Sequence, residues 1–458
     1  MNSILDKEVK VLAIFYYGRS GSYFLHSLMD SHPNLLSIPP GCLMSFFDFW
    51  DQNRHLSNAE IIQNFLSDYA EMINPDVTSR GVCHGSAIRG LGADKNITLK
   101  IDANAFSCAL QSLLAPIVTL TRRHLFVAVH YAYHRALGLQ IPNDFVIVFQ
   151  AHNYSDKVVL DLLNDFPSTK FLHSTRYPLQ ALGSHIKHHA VDLREKDGFN
   201  GANLISLLAA AIEGGVENFP GYNKIARAIR LEDLHTRPKE ILQKLCSWLD
   251  IPWHHSLLES TINGHTYSFP SSYSGSISGF TTQTISATHD DIYTSFDKFR
   301  FELIFKNKCQ AWKYPVSSFV DDGIVEKLML YPYKMEQFFS TEELKAGYAK
   351  KLREYLLTAY KNRDDSLQPI TLLDIDADID NCGWSRQLSE NELFCTNAVF
   401  NKHAFELYYT KALDAFKIND YNVAHSMIKY ALVLAPNSHS AVSLSNQIRS
   451  TLQMEATV

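Results

Sequence analysis

Seven cysteines are spread over 458 residues, at positions 42, 83, 108, 246, 309, 382 and 395, and no two form a Cys-x-x-Cys pair. That scatter excludes a zinc ribbon or a disulfide framework and points to a reducing compartment. No uninterrupted run of about 18 apolar residues occurs, so the sequence predicts no membrane span. The opening "MNSILDKEVKVLAIF" has no apolar stretch behind a basic start and does not read as a signal peptide. Neither sign of charge dominates: 42 Lys and Arg against 48 Asp and Glu leave a formal net charge of −6. Wholesale nucleic-acid binding is thereby excluded, and any anion site must be local. These absences together predict a cytoplasmic protein.

What is present has the composition of a globular chain, 46% hydrophobic and 20% charged. From residue 9 to about 315, short β-rich runs alternate with helical patterns, which predicts an α/β fold with a parallel sheet flanked by helices. The clearest strands are "KVLAIFYY" (10–17), "DFVIVFQ" (144–150), "KFLHS" (170–174) and "IARAIRL" (225–231). A Ser/Gly-rich stretch, "SFPSSYSGSISGF" (268–280), reads as an irregular loop. Beyond 315 the strand signal fades into helices over 320–365, with Ser340 or Thr341 as a cap and Glu343 three residues behind the serine. A polar connector is expected over 363–383. Its acidic run Asp374, Asp376, Asp378 and Asp380 imitates a calcium loop, but Ile379 stands where the turn needs glycine and Ser385 where a bidentate glutamate should be, so no metal is predicted. Residues 404–437 read as a helical hairpin with Ala412, Tyr421, Ala424, Ala431 and Pro436 at the small, aromatic and terminating positions of a tetratricopeptide-like unit, followed by a capping helix. That hairpin serves either as a brace or as a surface for a protein partner.

Three stretches carry chemistry. In "YGRSGSYF" (17–24), a glycine turn entering a helix aims backbone N–H groups and the positive helix end at an anion. Gly18 and Gly21 permit the tight turn, Ser20 and Ser22 add hydroxyl donors, and Phe24, Leu25, Leu28 and Met29 give the following helix an inward face. In "STRYPLQALGS" (174–184), a strand delivers Arg176, Pro178 opens a helix, and Ser184 follows eight residues after the arginine, a pair suited to gripping a phosphate. In "FQAHN" (149–153), His152 falls just past a strand, at the carboxyl edge where parallel sheets build their sites. It precedes Arg176 by one βα unit, which predicts neighbouring strand ends.

The ordered set resembles the sulfotransferases that use 3′-phosphoadenosine 5′-phosphosulfate (PAPS). "YGRSGSYF" is similar to that family's Tyr-Pro-Lys-Ser-Gly-Thr-Thr-Trp loop, "STRYPLQALGS" to its 3′-phosphate motif, and "FQAHN" lies where members carry Lys-Thr-His. "AIRLEDLHTRPKEILQKLCSWLDIPW" resembles the family's Tyr-Glu-Asp-Leu segment and following helix. The resemblance implies a P-loop-like sulfotransferase domain over 9–315, leaving a helical segment and connector over 316–399 and the repeat-like hairpin and capping helix over 400–458. It further implies a sulfuryl transfer from PAPS to a hydroxyl or amine of a small-molecule or carbohydrate acceptor.

Position by position, Arg19 with Gly18 takes the place of the family's lysine turn, at the bridging oxygen. Ser20, Gly21, Ser22 and Tyr23 stand where the 5′-phosphate is cradled, and Phe24 where a tryptophan meets adenine. Arg176 and Ser184 correspond to the 3′-phosphate grip and His152 to the base, with His84 and His130 as alternative bases. The chain departs from the pattern at Gln150, Leu231 and a missing Arg-Lys-Gly triplet. Region 42–143, rich in aromatics and histidines, is expected to shape the acceptor pocket, although its side chains suit a core equally. Competing readings are a P-loop kinase or NTPase, which requires a lysine directly after the second glycine, and a non-catalytic adaptor built on the C-terminal helices.

Overall fold

Alternation of Val11, Ala13 and Phe15 with Leu12 and Ile14 makes residues Lys10–Tyr16 a strand apolar on both faces, which only the centre of a covered parallel sheet accommodates. This strand, β1, does lie at the centre. The computed structural model describes residues 4–5, 7–77, 88–153, 155–192, 200–216, 219, 221–271, 275–283, 285, 289–316, 322–363, 368–373, 405–406 and 408–455. With Leu35–Ser37 as β2, Val146–Asn153 as β3, Lys170–Thr175 as β4 and Ala226–Arg230 as β5, the sheet order is β2-β3-β1-β4-β5. Every pairing in it is parallel. The fold is α/β, with helices on the sheet and further helices toward the C-terminus.

One face of the sheet packs Leu12, Ile14, Val146 and Leu172 against Phe24, Leu25, Leu28 and Met29 of the helix Ser22–Met29, as their spacing predicts. The helix Pro238–Leu249 closes this core with Ile241, Leu242, Leu245 and Trp248, and its proline sits in the first turn where the missing N–H costs nothing. The chain forms two compact units, one of residues 1–154, 162–218 and 222–386, the other of 155–161, 219–221 and 387–458. In the first unit a second core joins Leu182 and Ile186 to Phe301, Met329, Leu352 and Leu356, so packing continues across residue 315. Ser340 caps the helix Thr341–Lys345 through a capping box with Glu343. In the second unit, Ala412, Ala424, Ala431 and Ala441 are fully buried and let the helices approach closely, with Ile428 and Ile448 filling the seam.

Four expectations are corrected. His152 on β3 and Arg176 after β4 are not on neighbouring strands, because β1 runs between them and carries the loop. The stretch 268–280 is not wholly irregular: Ser268–Ser271 pairs antiparallel with Gly275–Ser278, since a two-stranded ladder is held by backbone groups that serine and glycine supply as well as valine does. Leu231 ends no strand but opens the helix Leu231–Thr236. The connector is polar only in part. Ile370, Leu372 and Leu373 are buried, and this segment runs along β5, where Ala228 N–H donates to Thr371 O at 2.8 Å and Leu373 N–H to Ala228 O at 2.9 Å. It covers what would be an exposed sheet edge. The acidic run 374–380 lies outside the described residues. Several aromatics of 42–143 are core: Phe46, Phe47 and Phe126 are buried and contact one another and Phe149 of β3 edge-on or tilted at 5.3–6.4 Å between centroids.

Candidate functional site at the carboxyl edge of the sheet

The loop leaving β1 turns twice through left-handed backbone, at Gly18 (φ 64°) and Gly21 (φ 81°). Gly21 is required twice over. A side chain there is strained by about 1–2 kcal/mol, and its Cβ would lie 2.5 Å from Leu231 Cδ1. Gly18 packs on the helix Pro178–Lys187, where an added Cβ would stand 3.4 Å from Ala181 O. Ser174 Oγ, at the end of β4, donates to Ser20 O at 2.7 Å, and Arg176 Nη1 approaches Arg19 O at 3.5 Å. The structure therefore brings the glycine loop and the Arg176 motif into one crevice. Ser184 lies buried on that same helix, two turns on.

Tyr17, just before the loop, is fixed from behind. Its hydroxyl meets His173 Nδ1 at 2.9 Å, and His173 Nε2 meets the Tyr222 hydroxyl at 2.8 Å. Gly214 lies so close that a Cβ would fall 1.9 Å from the Tyr17 ring. Ser20 is fully buried, and its hydroxyl has no partner among the described residues. Ser22 Oγ accepts a hydrogen bond from Gln150 Nε2 at 3.0 Å, so the residue in place of the expected lysine is tied to the loop. Arg19 and Tyr23 are half-buried at the loop surface. Phe24 is 1% exposed and stacks on His235 at 4.8 Å between centroids. Its ring is a core element, and His235 lies on one of its faces.

Of the three candidate bases, His152 lies within β3 opposite Phe15, one residue before the strand's end and not past it as expected, because the strand runs on to Asn153; its side chain lies outside the described residues, as does His84 altogether. His130 is buried, its Nδ1 2.8 Å from Phe126 O, and burial pushes its pKa down to about 3.

Sequence reasoning missed three neighbours of Arg176. His235 and His289 are each pushed down to about 4, first by burial and then by the Arg176 guanidinium, so both face the arginine as neutral rings. Lys308 lines a cavity with Tyr17, Thr175 and Arg176. Its ammonium donates to Ala211 O and Ile212 O at the end of the helix Gly201–Glu213. Burial pushes it down to about 7. Nothing in "LEDLHT", "ATHDD" or "KNKCQ" marked these residues, because a lone histidine or lysine has no spacing to read.

Five buried histidines set an acid limit on stability. His26, His130, His173, His235 and His289 have pKa values lowered to about 4, 3, 3, 4 and 4, with burial the leading cause in each. The unfolded chain takes up these protons near pH 6.5, whereas the folded chain refuses them until pH 3–4. Between those values the unfolded state binds more protons, so stability falls as pH is lowered. Each such histidine removes up to about 1.4 kcal/mol per pH unit. The melting temperature is expected to hold above pH 6.5 and to fall steeply from pH 6 to pH 4.5. A flat profile across that interval in a calorimetric pH series contradicts it.

No family model and no curated protein matches the chain. Among solved structures it is similar to a sulfotransferase domain from the curacin biosynthetic pathway, at 17% identity over 71% of this chain and 99% of that one, with a TM-score of 0.34. It is also similar to a sulfotransferase from Mycobacterium tuberculosis, at 14% identity over 55% of this chain and 70% of the other (TM-score 0.27). A third, a sulfotransferase from Mycobacterium avium, matches at 13% identity over 56% and 67% (TM-score 0.27).

Proposed function

We propose that this chain is a sulfotransferase that binds PAPS at the crevice between the β1 loop and the end of β4 and passes its sulfuryl group to a hydroxyl or amine of a small-molecule or carbohydrate acceptor. The observation that carries this reading is the convergence of Arg19, Ser20 and Arg176, with a buried Ser20 hydroxyl that has no partner among the described residues and suits a phosphate oxygen. The fit to a doubly phosphorylated donor rests on two separate grips. The loop N–H groups, Ser20, Ser22 and Tyr23 serve the 5′ side, and Arg176 and Ser184 serve the 3′ side.

PAPS supplies an activated sulfur whose bond to the bridging oxygen breaks as the acceptor attacks. Arg19 stabilises the negative charge that grows on that oxygen, acting as a fixed cation, since a guanidinium does not give up its proton near neutral pH. Gly18 and Gly21 hold the loop amides in place beforehand, which is where such stabilisation gains most. His152, at the carboxyl end of β3, takes the proton of the acceptor. No metal has a role in this scheme. The C-terminal helices are assigned to bracing or to a protein partner.

The test is a pair of measurements on the full chain: PAPS turnover with an acceptor panel, and binding of adenosine 3′,5′-bisphosphate. His152→Ala is expected to lower turnover by about 100-fold or more with bisphosphate affinity unchanged. Binding of ATP with no binding of PAPS or the bisphosphate would sink the proposal.

A further inference from the structure

His26, His130 and Gln150 line one small cavity together with Ile38, Gly41 and Leu43. The three polar residues are 1%, 1% and 3% exposed. The space open to a water-sized sphere is about 10 Å³, room for about one water molecule. Each residue turns one buried polar atom that has no partner among the described residues: His26 Nδ1, His130 Nε2 and Gln150 Oε1.

The bonds that His130 and Gln150 make fix two of the three groups the cavity presents. His130 Nδ1 lies 2.8 Å from Phe126 O, which only accepts, so the ring proton sits on Nδ1 and Nε2 presents a lone pair. Gln150 gives an amide N–H to Ser22 Oγ at 3.0 Å, which leaves Oε1 as a second acceptor. His26 Nε2 meets Ser37 Oγ at 2.9 Å, and when it accepts that hydroxyl's proton, Nδ1–H becomes a donor. Two acceptors and one donor around one heavy atom call for a group with two hydrogens and a lone pair. Water has them; an alcohol offers one hydrogen and a carbonyl none.

We propose that this cavity binds a single water molecule, which donates to His130 Nε2 and Gln150 Oε1, accepts from His26 Nδ1, and thereby orients the Gln150 amide toward the loop. Because Gln150 fills one lone pair of Ser22 Oγ, the serine's own hydrogen stays available to an anion. Gln150 is thus a positioning residue, held by the water behind it. This last step rests on the donor-binding reading above, whereas the water itself does not.

A crystal structure of the full chain at a resolution that orders internal solvent tests the first part directly. One water peak is expected within about 2.6–3.2 Å of all three atoms, and its loss in His130→Phe. A dry cavity, or a Gln150 amide turned away from Ser22, overturns the proposal. For the second part, His130→Phe is expected to weaken adenosine 3′,5′-bisphosphate binding about 3- to 10-fold, the order set by a lost hydrogen-bonded support, and His130→Gln, which keeps an acceptor, to recover most of it. Equal weakening in both variants overturns the positioning role. If the unaltered chain does not bind the bisphosphate at all, the functional reading fails instead, and the water peak still decides the cavity.

Discussion

Arg176→Ala is expected to reduce affinity for adenosine 3′,5′-bisphosphate by roughly 10- to 150-fold, the range set by about 1.5–3 kcal/mol for hydrogen bonds to a charged group. Adenosine 5′-monophosphate, which has no 3′-phosphate, should lose far less. The contrast follows from where the arginine sits. It is 5% exposed, beyond the end of β4, and it shares its surroundings with His235 and His289, whose rings burial and the guanidinium keep neutral. Arg176→Lys is expected to recover only part of the loss, because an ammonium lacks the planar fork that meets two phosphate oxygens together. Isothermal titration of both nucleotides decides the matter. Equal losses for the two would remove Arg176 from the 3′ side.

Arg300→Ala is expected to destabilise the first unit by about 3–5 kcal/mol, the penalty for leaving a buried charge unpaired. Arg300 is fully buried in the helix Ser295–Ile304. Its guanidinium reaches Asp297 at 2.6 Å, Tyr331 O at 2.7 Å, Pro332 O at 2.9 Å and Leu328 O at 3.0 Å. The Tyr333 ring lies against it at 3.5 Å. One side chain thereby joins the helix before residue 315 to the turn that follows the helix Asp322–Met329. Urea denaturation should show the loss. The double variant Arg300→Met with Asp297→Leu should recover much of it, since no buried charge is then left over. A single variant as stable as the parent chain contradicts this account.

How much of this was legible in the sequence depended on whether a residue's role has a period. Leu12, Ile14, Val146 and Val148 announce buried strands by composition alone, and Phe24, Leu25, Leu28 and Met29 announce a helix face by spacing. Gly18 and Gly21 were readable because a turn into a helix needs left-handed residues at set places. β2 was missed, since three residues, Leu35–Ser37, are too short to show alternation. The edge-covering segment around Ile370 was missed because its apolar residues become meaningful only beside β5. His235 and Lys308 belong to the site through tertiary contact and have no local signature. Gln150 looked like a lost charge; in three dimensions it is a link between the loop and a buried cavity.

The ladder between β1 and β3 contains one irregularity: Ile14 pairs with Gln150, but Phe15 pairs with His152, passing over Ala151. A strand has a parity, since each residue added or removed exchanges its two faces. The extra residue at 151 sets the backbone register of Val146, Val148 and Gln150 apart from that of the last two residues of the strand. The strand's interior and its tip are therefore written in different frames. A residue inserted or removed at this one point changes the tip of the strand, while the packing frame upstream keeps its register.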